Sequence, residues 1–508
     1  LGSQMAAESL AFNNSGYQIT GSPLAVILSS TNNGSITVAS GKTATINSPI
    51  TYNSNQAAAI TANGILNLGG GATNSQYNFG GAGTVNITAG AYSANTGTVG
   101  VSALNQTGGN FNMTPGSNNV SYNIFSNARN VNYTISGTAI LALNASNTTA
   151  TGTALNIGNN TAGSFTSTLT LNGGTVNVGT ITNTQGLIRI SNSVTSSGKL
   201  DIQSGTLTVG TGKATNQITL FENGSSATYS ATMTQSGGTV TTNGIQFGGT
   251  TGIYDAASSA TLTVSGGNLY IGAQGITRGS AAGALPTSIK LQGGTLGADQ
   301  NWSSSLDMQL GTTAGGPTIR AQNSASTARN ITLSGILSND GAVNGTLTKT
   351  GAGTLTLSGA NSFTGGLKIV NGTVNATTND SALGAGTVTM GGAGSTGATL
   401  TTGRSHSNAF TVNAPDSGSV VIAANGGGGN YTLSGGITLN GDLTIQTFNN
   451  AISGTTKAGG TITGGITGTG NVILNNIGLA ANTFSLTTTA INHTGSLTLQ
   501  GTGTGNTT

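Results

Sequence analysis

Glycine pairs, each between two short alternating segments, recur along this chain at a nearly constant spacing. Five such units are Ser167–Gly179, Gly198–Gly210, Ala231–Gly244, Ala260–Gly272 and Thr287–Ala298. The second residue of the Gly-Gly or Ser-Gly pair is Gly174, Gly205, Gly238, Gly267 or Gly294. The step is therefore roughly 27 to 33 residues, a period typical of solenoid proteins. Because one unit cannot bury its apolar side alone, neighbouring units must stack.

Within each unit, Leu, Val and Ile alternate with Thr, Ser and Asn, which is the pattern of half-buried strands. We expect inward side chains at Leu169, Leu171, Val176 and Val178, stacked on Leu200, Ile202, Leu207 and Val209 of the next turn. A further strand, as in Gly186–Ser193, makes the turn three-sided. Glycines then lie at corners, where φ is positive or backbones approach closely. The pattern predicts an all-β, parallel β-helix of about 16 to 18 turns.

The pattern continues along the chain, so we predict one continuous solenoid over residues 1–508. We expect less regular turns in 1–160, regular turns in 161–390 and glycine-rich turns in 391–508. No shift in composition marks a second domain.

Composition excludes several classes of protein. There are 85 glycines but 6 prolines and no Gly-X-Y period, which excludes collagen. Charged residues make up 5% of the chain, a level that also suits disorder, but the regular alternation argues against disorder. The net charge of +3 comes from isolated Lys and Arg residues, so we expect no binding to nucleic acid or anionic lipid. Outward Thr and Asn provide the polar surface, and stacked Asn can form hydrogen-bonded ladders.

Cysteine is absent, which suits export through an oxidising compartment. The longest apolar runs, such as Leu24–Leu28 and Val420–Ala424, are far shorter than the ~20 residues of a membrane-spanning helix. We therefore expect no transmembrane segment. The chain begins at Leu1 without a signal-peptide pattern, which we interpret as a processed start, a fragment, or a vector-derived Leu1–Met5.

One segment carries a specific signature. Gly345–Asn375 contains Leu-Thr-Lys-x-Gly-x-Gly-Thr-Leu (Leu347–Leu355), Ser-Gly-x-Asn (Ser358–Asn361), Thr-Gly-Gly (Thr364–Gly366) and Asn-Gly-Thr-Val (Asn371–Val374). It closely resembles the autotransporter-associated β-strand repeat of bacterial surface proteins. Looser similarity extends to Ser9–Gly21, Gln292–Leu306 and Arg329–Gly341. The resemblance implies a right-handed parallel β-helix that is exported and displayed on, or shed from, a bacterial cell.

Parallel β-helices often serve as polysaccharide lyases or hydrolases, whose sites need paired acids, or acids with a base or a metal, on one face. The ten acids are Glu8, Asp201, Glu222, Asp255, Asp299, Asp307, Asp340, Asp380, Asp416 and Asp442. They are widely spaced, and the two pairs that the fold could bring together are Asp201 with Glu222 and Asp299 with Asp340. We expect no active site.

Three motifs of short length also carry little weight. Pro415–Ser419 places Asp-Ser-Gly near His406, but nothing in the sequence supplies the rest of a serine-protease triad. Gly392–Gly397 fits Gly-x-Gly-x-x-Gly without the helix that a dinucleotide requires. His406 and His493 alone, without cysteine, make a zinc site unsupported. We therefore predict no catalytic residues, no metal and no cofactor.

Three functions remain as hypotheses. The first is an extracellular structural protein that self-associates through its ends into a fibre, filament or sheath, since no capping helix is evident before Ala11 or after Leu499. The second is an adhesin or passenger rod that binds host surfaces, neighbouring cells or glycans. The third is a carbohydrate-active enzyme, which the scattered acids make the weakest of the three.

Overall fold

The computed structural model of the chain describes residues 5–7, 9–21, 24–26, 35–52, 58–73, 76–94, 96–113, 122–143, 155–159, 164–179, 187–191, 195–210, 217–222, 228–249, 254, 256–424, 431–447, 460–477, 484–486 and 491–502. Its contacts divide the chain into two compact units, Leu1–Ser288 and Ile289–Thr508. Within the described ranges, the single helical segment is a 3₁₀ turn at Thr313–Gly315. The remaining regular structure is β-strand.

The strands of the first unit are short, with a few long exceptions. They are β1 Met5–Ala7, β2 Ser9–Phe12, β3 Tyr17–Ile19, β4 Leu24–Val26, β5 Ser35–Val38, β6 Thr43–Ile46, β7 Ile50–Tyr52, β8 Ala58–Ala62, β9 Ile65–Leu68, β10 Ala72–Thr73, β11 Gln76–Gly80, β12 Thr84–Ile87, β13 Ala91–Ala94, β14 Thr96–Val99, β15 Ala103–Gln106, β16 Asn110–Met113, β17 Tyr122–Ile124, β18 Val131–Leu143, β19 Leu155–Ile157, β20 Phe165–Val178, β21 Leu187–Ile190, β22 Ser196–Val209, β23 Gln217–Leu220, β24 Ser230–Gln235, β25 Thr239–Phe247, β26 Ser259–Val264 and β27 Asn268–Arg278.

From β2 to β16, every third strand pairs in a parallel ladder. One stack contains β3, β6, β9, β12 and β15. A second contains β2, β5, β8, β11 and β14, and a third contains β4, β7, β10, β13 and β16. Because three strands pass before the chain returns to the same ladder, the coil has three sides. This is a parallel β-helix, as the sequence predicts.

The predicted inward rows are confirmed. Leu169 pairs with Leu200, Leu171 with Ile202, Val176 with Leu207, and Val178 with Val209. All eight side chains are buried, with at most 1% exposed. Burying such an aliphatic side chain contributes about 1.5 to 3 kcal/mol relative to leaving it exposed. The predicted third strand is also present, since Leu187–Ile190 forms β21, while the flanking Gly186 and Ser193 lie outside the described residues.

The glycines singled out in the sequence occupy corners with positive φ. The values are 68° at Gly174, 87° at Gly205, 66° at Gly238, 69° at Gly267 and 69° at Gly294. At Gly205 a Cβ atom would lie 2.6 Å from the carbonyl oxygens of Gly173 and Gly174. Both the backbone conformation and the closeness of the preceding coil therefore require glycine there.

The second unit consists of short strands, beginning within β28. Its strands are β28 Thr287–Leu291, β29 Thr295–Ala298, β30 Trp302–Ser304, β31 Met308–Leu310, β32 Thr318–Arg320, β33 Ile331–Leu333, β34 Leu337–Asn339, β35 Leu347–Thr350, β36 Thr354–Leu357, β37 Leu367–Ile369, β38 Asn371–Ala376, β39 Val388–Met390, β40 Gly397–Thr402, β41 Phe410–Asn413, β42 Val420–Ala424, β43 Tyr431–Leu433, β44 Ile437–Asn440, β45 Leu443–Gln446, β46 Gly460–Ile462, β47 Ile466–Gly468, β48 Val472–Asn475, β49 Phe484–Leu486, β50 Ile491–His493 and β51 Leu497–Gln500.

Parallel ladders also build the second unit. One stack runs through β30, β33, β36, β38, β40, β42, β45, β48 and β51. Another runs from β32 and β35 through β37, β39, β41, β44 and β47 to β50, and β43, β46 and β49 form a third. No helix in the described residues is long and apolar enough to span a membrane.

Asparagine ladders, predicted from the outward positions, occur on the surface of the first unit. The Nδ2 atom of Asn86 donates to Oδ1 of Asn67 at 2.8 Å, and Nδ2 of Asn105 donates to Oδ1 of Asn86 at 2.9 Å. The step between these residues is 19 positions in both cases. Equal steps keep identical side chains in register, so one amide can both donate and accept.

Candidate functional site

Asp201 and Glu222, the first acid pair considered in the sequence, each contact different side chains. Asp201 accepts a hydrogen bond from Gln203 at 2.9 Å and lies 3.7 Å from the Lys199 amine. Glu222 lies 3.6 Å from the Arg189 guanidinium. No hydrogen bond between Asp201 and Glu222 is found in the described part of the chain. The two carboxylates therefore face different cations. Lys199 lies on the same strand as Asp201. Arg189 lies on the strand that pairs with β23, which ends shortly before Glu222.

The second acid pair also has separate partners. Asp340 accepts hydrogen bonds from Gln292 and Lys290, both at 2.9 Å, and these two bonds lower the pKa of its carboxyl. Burial raises the pKa of the Asp299 carboxyl, while Arg329 acts in the opposite direction. The structure does not bring Asp299 and Asp340 into a common hydrogen-bond network.

Two further acids, Asp307 and Asp442, accept hydrogen bonds from backbone amides. Asp307 accepts from the Ile336 amide at 2.7 Å, and Asp442 accepts from the Asn471 amide at 2.8 Å. Glu8 and Asp255 lie outside the described residues. The described ranges contain no group of three or more His, Asp or Glu side chains placed to hold a metal ion.

His406 is buried, and both ring nitrogens are engaged. Nδ1 lies 2.9 Å from the Asp380 carbonyl oxygen, so it carries the proton that this bond requires. Nε2 lies 2.8 Å from the Thr402 hydroxyl. Burial lowers the pKa of the imidazole, and the Asp380 carbonyl opposes this shift. The ring therefore holds a corner together, and no hydrogen bond links it to Ser417. His493 lies elsewhere, with Nε2 3.3 Å from the Ser496 carbonyl oxygen.

Backbone amides of the glycine loop Gly392–Gly397 are hydrogen-bonded to side chains of the same protein. The Gly394 amide donates to the Asp416 carboxylate at 2.8 Å, and the Thr396 amide donates to Oδ1 of Asn371 at 2.6 Å. The amides of Asp416 and Ser417 donate back to the Ser395 carbonyl. Hydrogen bonds thus join the Asp-Ser-Gly tripeptide to the glycine motif, and the two segments form one corner of the coil.

The repeat segment contains the most unusual group in the described residues, the fully buried Lys349. Its neighbours in register are Ile319 on the preceding strand and Ile369 on the following one. The Nζ atom donates to the carbonyl oxygens of Thr350 at 3.1 Å, Gly351 at 2.7 Å and Asn371 at 2.7 Å. Three carbonyl oxygens match the three N–H donors of an ammonium group. Burial acts against the charge and lowers the pKa of this lysine to about 7.

Two glutamines repeat this arrangement in the first unit. Nε2 of Gln106 donates to the carbonyl oxygens of Gly109 at 3.1 Å and Ile140 at 3.0 Å. Nε2 of Gln235 donates to those of Gly238 at 3.4 Å and Asn268 at 3.0 Å. Both glutamines are fully buried. In each case the polar side chain occupies the last inward position before a glycine corner. It joins that corner to the strand in the next coil.

Asn361 fastens another corner of the repeat segment. Its Oδ1 atom accepts from the Leu337 amide at 2.8 Å, and its Nδ2 atom donates to the Ala382 carbonyl at 2.7 Å. The side chain therefore connects the preceding coil to the following one. Asn408 performs a similar role, donating to the carbonyl oxygens of Gly384 at 3.0 Å and Gly386 at 2.7 Å.

Residues 347–376 match the family model of the passenger-associated-transport-repeat. The match includes both Lys349 and Asn361, and it confirms the resemblance to autotransporter passenger proteins. This part of the chain is therefore similar to a repeat of secreted or surface-displayed passengers. Among curated proteins and among solved structures, no similar protein was found.

The sequence identified the segment but not the role of its lysine. A signal was present, since Leu347 and Lys349 occupy alternate positions, and the first of them is inward. A polar residue at such a position directly before a glycine corner, as in Gln-Thr-Gly-Gly at Gln106 and Gln-Ser-Gly-Gly at Gln235, predicts a buried donor. The side-chain arrangement joins successive coils of the β-helix.

Proposed function

We propose that this chain is a non-catalytic, extracellular scaffold that associates end to end into a fibre, filament or sheath. Its location would be outside the cell or on a bacterial surface. The passenger-type repeat supports secretion, and the β-helix supports a structural role because its regular surface carries few charges. As an alternative, we propose a passenger rod that binds glycans or cell surfaces.

The observation that carries the proposal is an apolar row that continues to an exposed strand. In register, Val472 pairs with Leu497 and Leu474 pairs with Leu499. Val472 and Leu474 are buried, whereas Leu497 is 47% exposed and Leu499 is 64% exposed. The side chains of this row are therefore buried on strand β48 and exposed on strand β51. A further coil with inward aliphatic residues would bury those of β51.

The first strands of the chain offer a surface of the matching type. Phe12 pairs with Val38 and Tyr17 pairs with Ala44, each on one side. Tyr17 is 54% exposed, and Phe12 and Tyr17 lie together with ring centroids 6.2 Å apart. Among the described residues, β2 and β3 each pair with one strand, and an open strand edge recruits another chain. Contact between these two surfaces of different copies is heterologous, and we propose that its rotation does not close into a ring, so that it propagates into a filament.

Sedimentation velocity and negative-stain microscopy of the full 508-residue chain test this proposal. We expect concentration-dependent filaments for the native chain and their loss in Leu499→Lys, because a charge would have to be buried at the junction. Thr498→Lys is the matched control, since Thr498 belongs to the same exposed strand but lies on the outward row. Filaments that persist unchanged in Leu499→Lys, or a native chain that stays monomeric at high concentration, would contradict the proposal.

A further inference from the structure

A groove of about 280 Å³ lies on the outer face of the second unit, beside the Thr-Gly-Gly turn of the repeat segment. Thr348, Lys368 and Thr389 are in register on three neighbouring strands and line it. Adjacent strands are about 4.8 Å apart, so Lys368 stands between two threonine side chains. Thr346, Gly366 and Thr387 come two positions earlier, each directly before one of these strands, and line the groove as well.

Gly366 lines this groove directly before the strand that carries Lys368. The backbone there has a φ of 95°, and a Cβ atom would lie 2.5 Å from the Thr387 carbonyl oxygen. Glycine is therefore required by the coil itself, and the hollow beside Lys368 is a fixed feature of the fold. On one wall, the Thr346 hydroxyl donates to the Gly315 carbonyl at 2.7 Å, which holds that side chain in place.

The groove is lined by one cationic side chain, Lys368, and by several threonine hydroxyl groups. Lys368 is exposed, and no carboxylate is present among the lining residues. In the described part of the chain, neither its amine nor the hydroxyls of Thr348 and Thr389 have a hydrogen-bond partner. An ammonium group donates to anions, and hydroxyls both donate and accept. In a chain with 5% charged residues, such a combination offers complementary charge to a small polar anion.

We propose that this groove binds a single sugar ring that carries a carboxylate, such as a uronic acid unit of an extracellular polysaccharide. Lys368 pairs with the carboxylate, and Thr348 and Thr389 hydrogen-bond to ring hydroxyls. The volume is just below the ~300 to 1,000 Å³ of small-molecule sites, which suits one ring rather than a longer segment. The groove does not include strand β51, so this inference is independent of end-to-end association.

Isothermal titration calorimetry with the full chain at low salt tests the site, using D-glucuronate, D-glucose, acetate and glucose 6-phosphate. We expect the tightest binding for glucuronate, with glucose and acetate each weaker by about tenfold, because a charge-assisted bond and the ring contacts are both needed. Lys368→Gln should weaken glucuronate binding by about tenfold, and Thr389→Val should weaken it less. Lys42→Gln, a partly exposed lysine of the first unit, is the matched control and should change nothing.

Several results would overturn the inference. Glucuronate binding that is equal in Lys368→Gln and the native chain would remove the role of the lysine. Acetate that binds as tightly as glucuronate would show that no ring is recognised, and a preference for glucose 6-phosphate would assign the site to phosphate instead of carboxylate. Circular dichroism spectra of the variants establish that the fold is retained.

Discussion

The side-chain amine of Lys349 lies 2.7 Å from the carbonyl oxygen of Asn371, the residue that begins the strand in the next coil. The same amine lies 2.7 Å from the Gly351 carbonyl in its own corner. One buried amine therefore joins two successive coils between the aliphatic side chains of Ile319 and Ile369.

Removing this amine should destabilise the second unit. Lys349→Ala leaves carbonyl oxygens without a donor and opens a cavity, so we expect the free energy of unfolding to fall by about 2 to 4 kcal/mol. Lys349→Gln keeps an amide donor, as Gln106 and Gln235 do in the first unit, and should cost only about 1 kcal/mol. Urea denaturation of both variants measures the difference. An equal loss in the two variants would show that the donor has no role.

The same lysine should make stability depend on pH. Its folded pKa is about 7, against 10.5 in the unfolded chain, so between these values the unfolded chain holds a proton that the folded chain has lost. The free energy of unfolding should therefore rise with pH across this window and level off below about pH 7. Denaturation of the native chain and of Lys349→Gln is measured at several pH values. The difference between their free energies of unfolding isolates the effect of the lysine. A difference that stays constant from pH 7 to the Lys pKa of ~10.4 would contradict it.

The asparagine ladder should contribute measurably to the first unit. Asn86→Ala removes one donor and one acceptor from the row formed with Asn67 and Asn105, which should cost about 1 to 2 kcal/mol. Asn112 is a suitable control because it is also half-buried on an outward position and has no side-chain hydrogen bond within the described residues. Asn112→Ala should change stability by less than about 0.5 kcal/mol. Thermal or urea unfolding that ranks the two variants alike would argue against the ladder.

Corner glycines should tolerate no side chain. Gly205→Ala forces alanine into a positive φ and places its Cβ atom 2.6 Å from two carbonyl oxygens, so we expect a loss of about 3 kcal/mol or more. Gly283→Ala serves as the control, because nothing lies within 4 Å of the added atom and its φ is not in the left-handed region. Hydrogen exchange of the neighbouring strands would show whether the damage is local. Comparable stability in the two variants would refute the corner argument.

The stacked rows and the corners were predictable from the sequence because both follow from local rules. Alternation sends Leu169 and Leu171 to one side of a strand, and a constant step places Leu200 and Ile202 beside them. Gly205 could be assigned to a corner because only glycine combines positive φ with close backbone approach. Partners of polar side chains were not predictable in this way. The oxygens around Lys349 and the groups on both nitrogens of His406 come from residues that only folding brings near.

The amino-acid sequence by itself determined the parallel β-helix, its inward aliphatic rows and the passenger-type repeat at residues 347–376, because period-two alternation and corner glycines act over a few residues. Only the tertiary structure decided that Lys349 is a buried link and that Lys368 stands in an open groove. The two lysines belong to one repeat but lie on opposite sides of their strands. Lys349 points toward carbonyl oxygens inside the coil, and Lys368 points toward water.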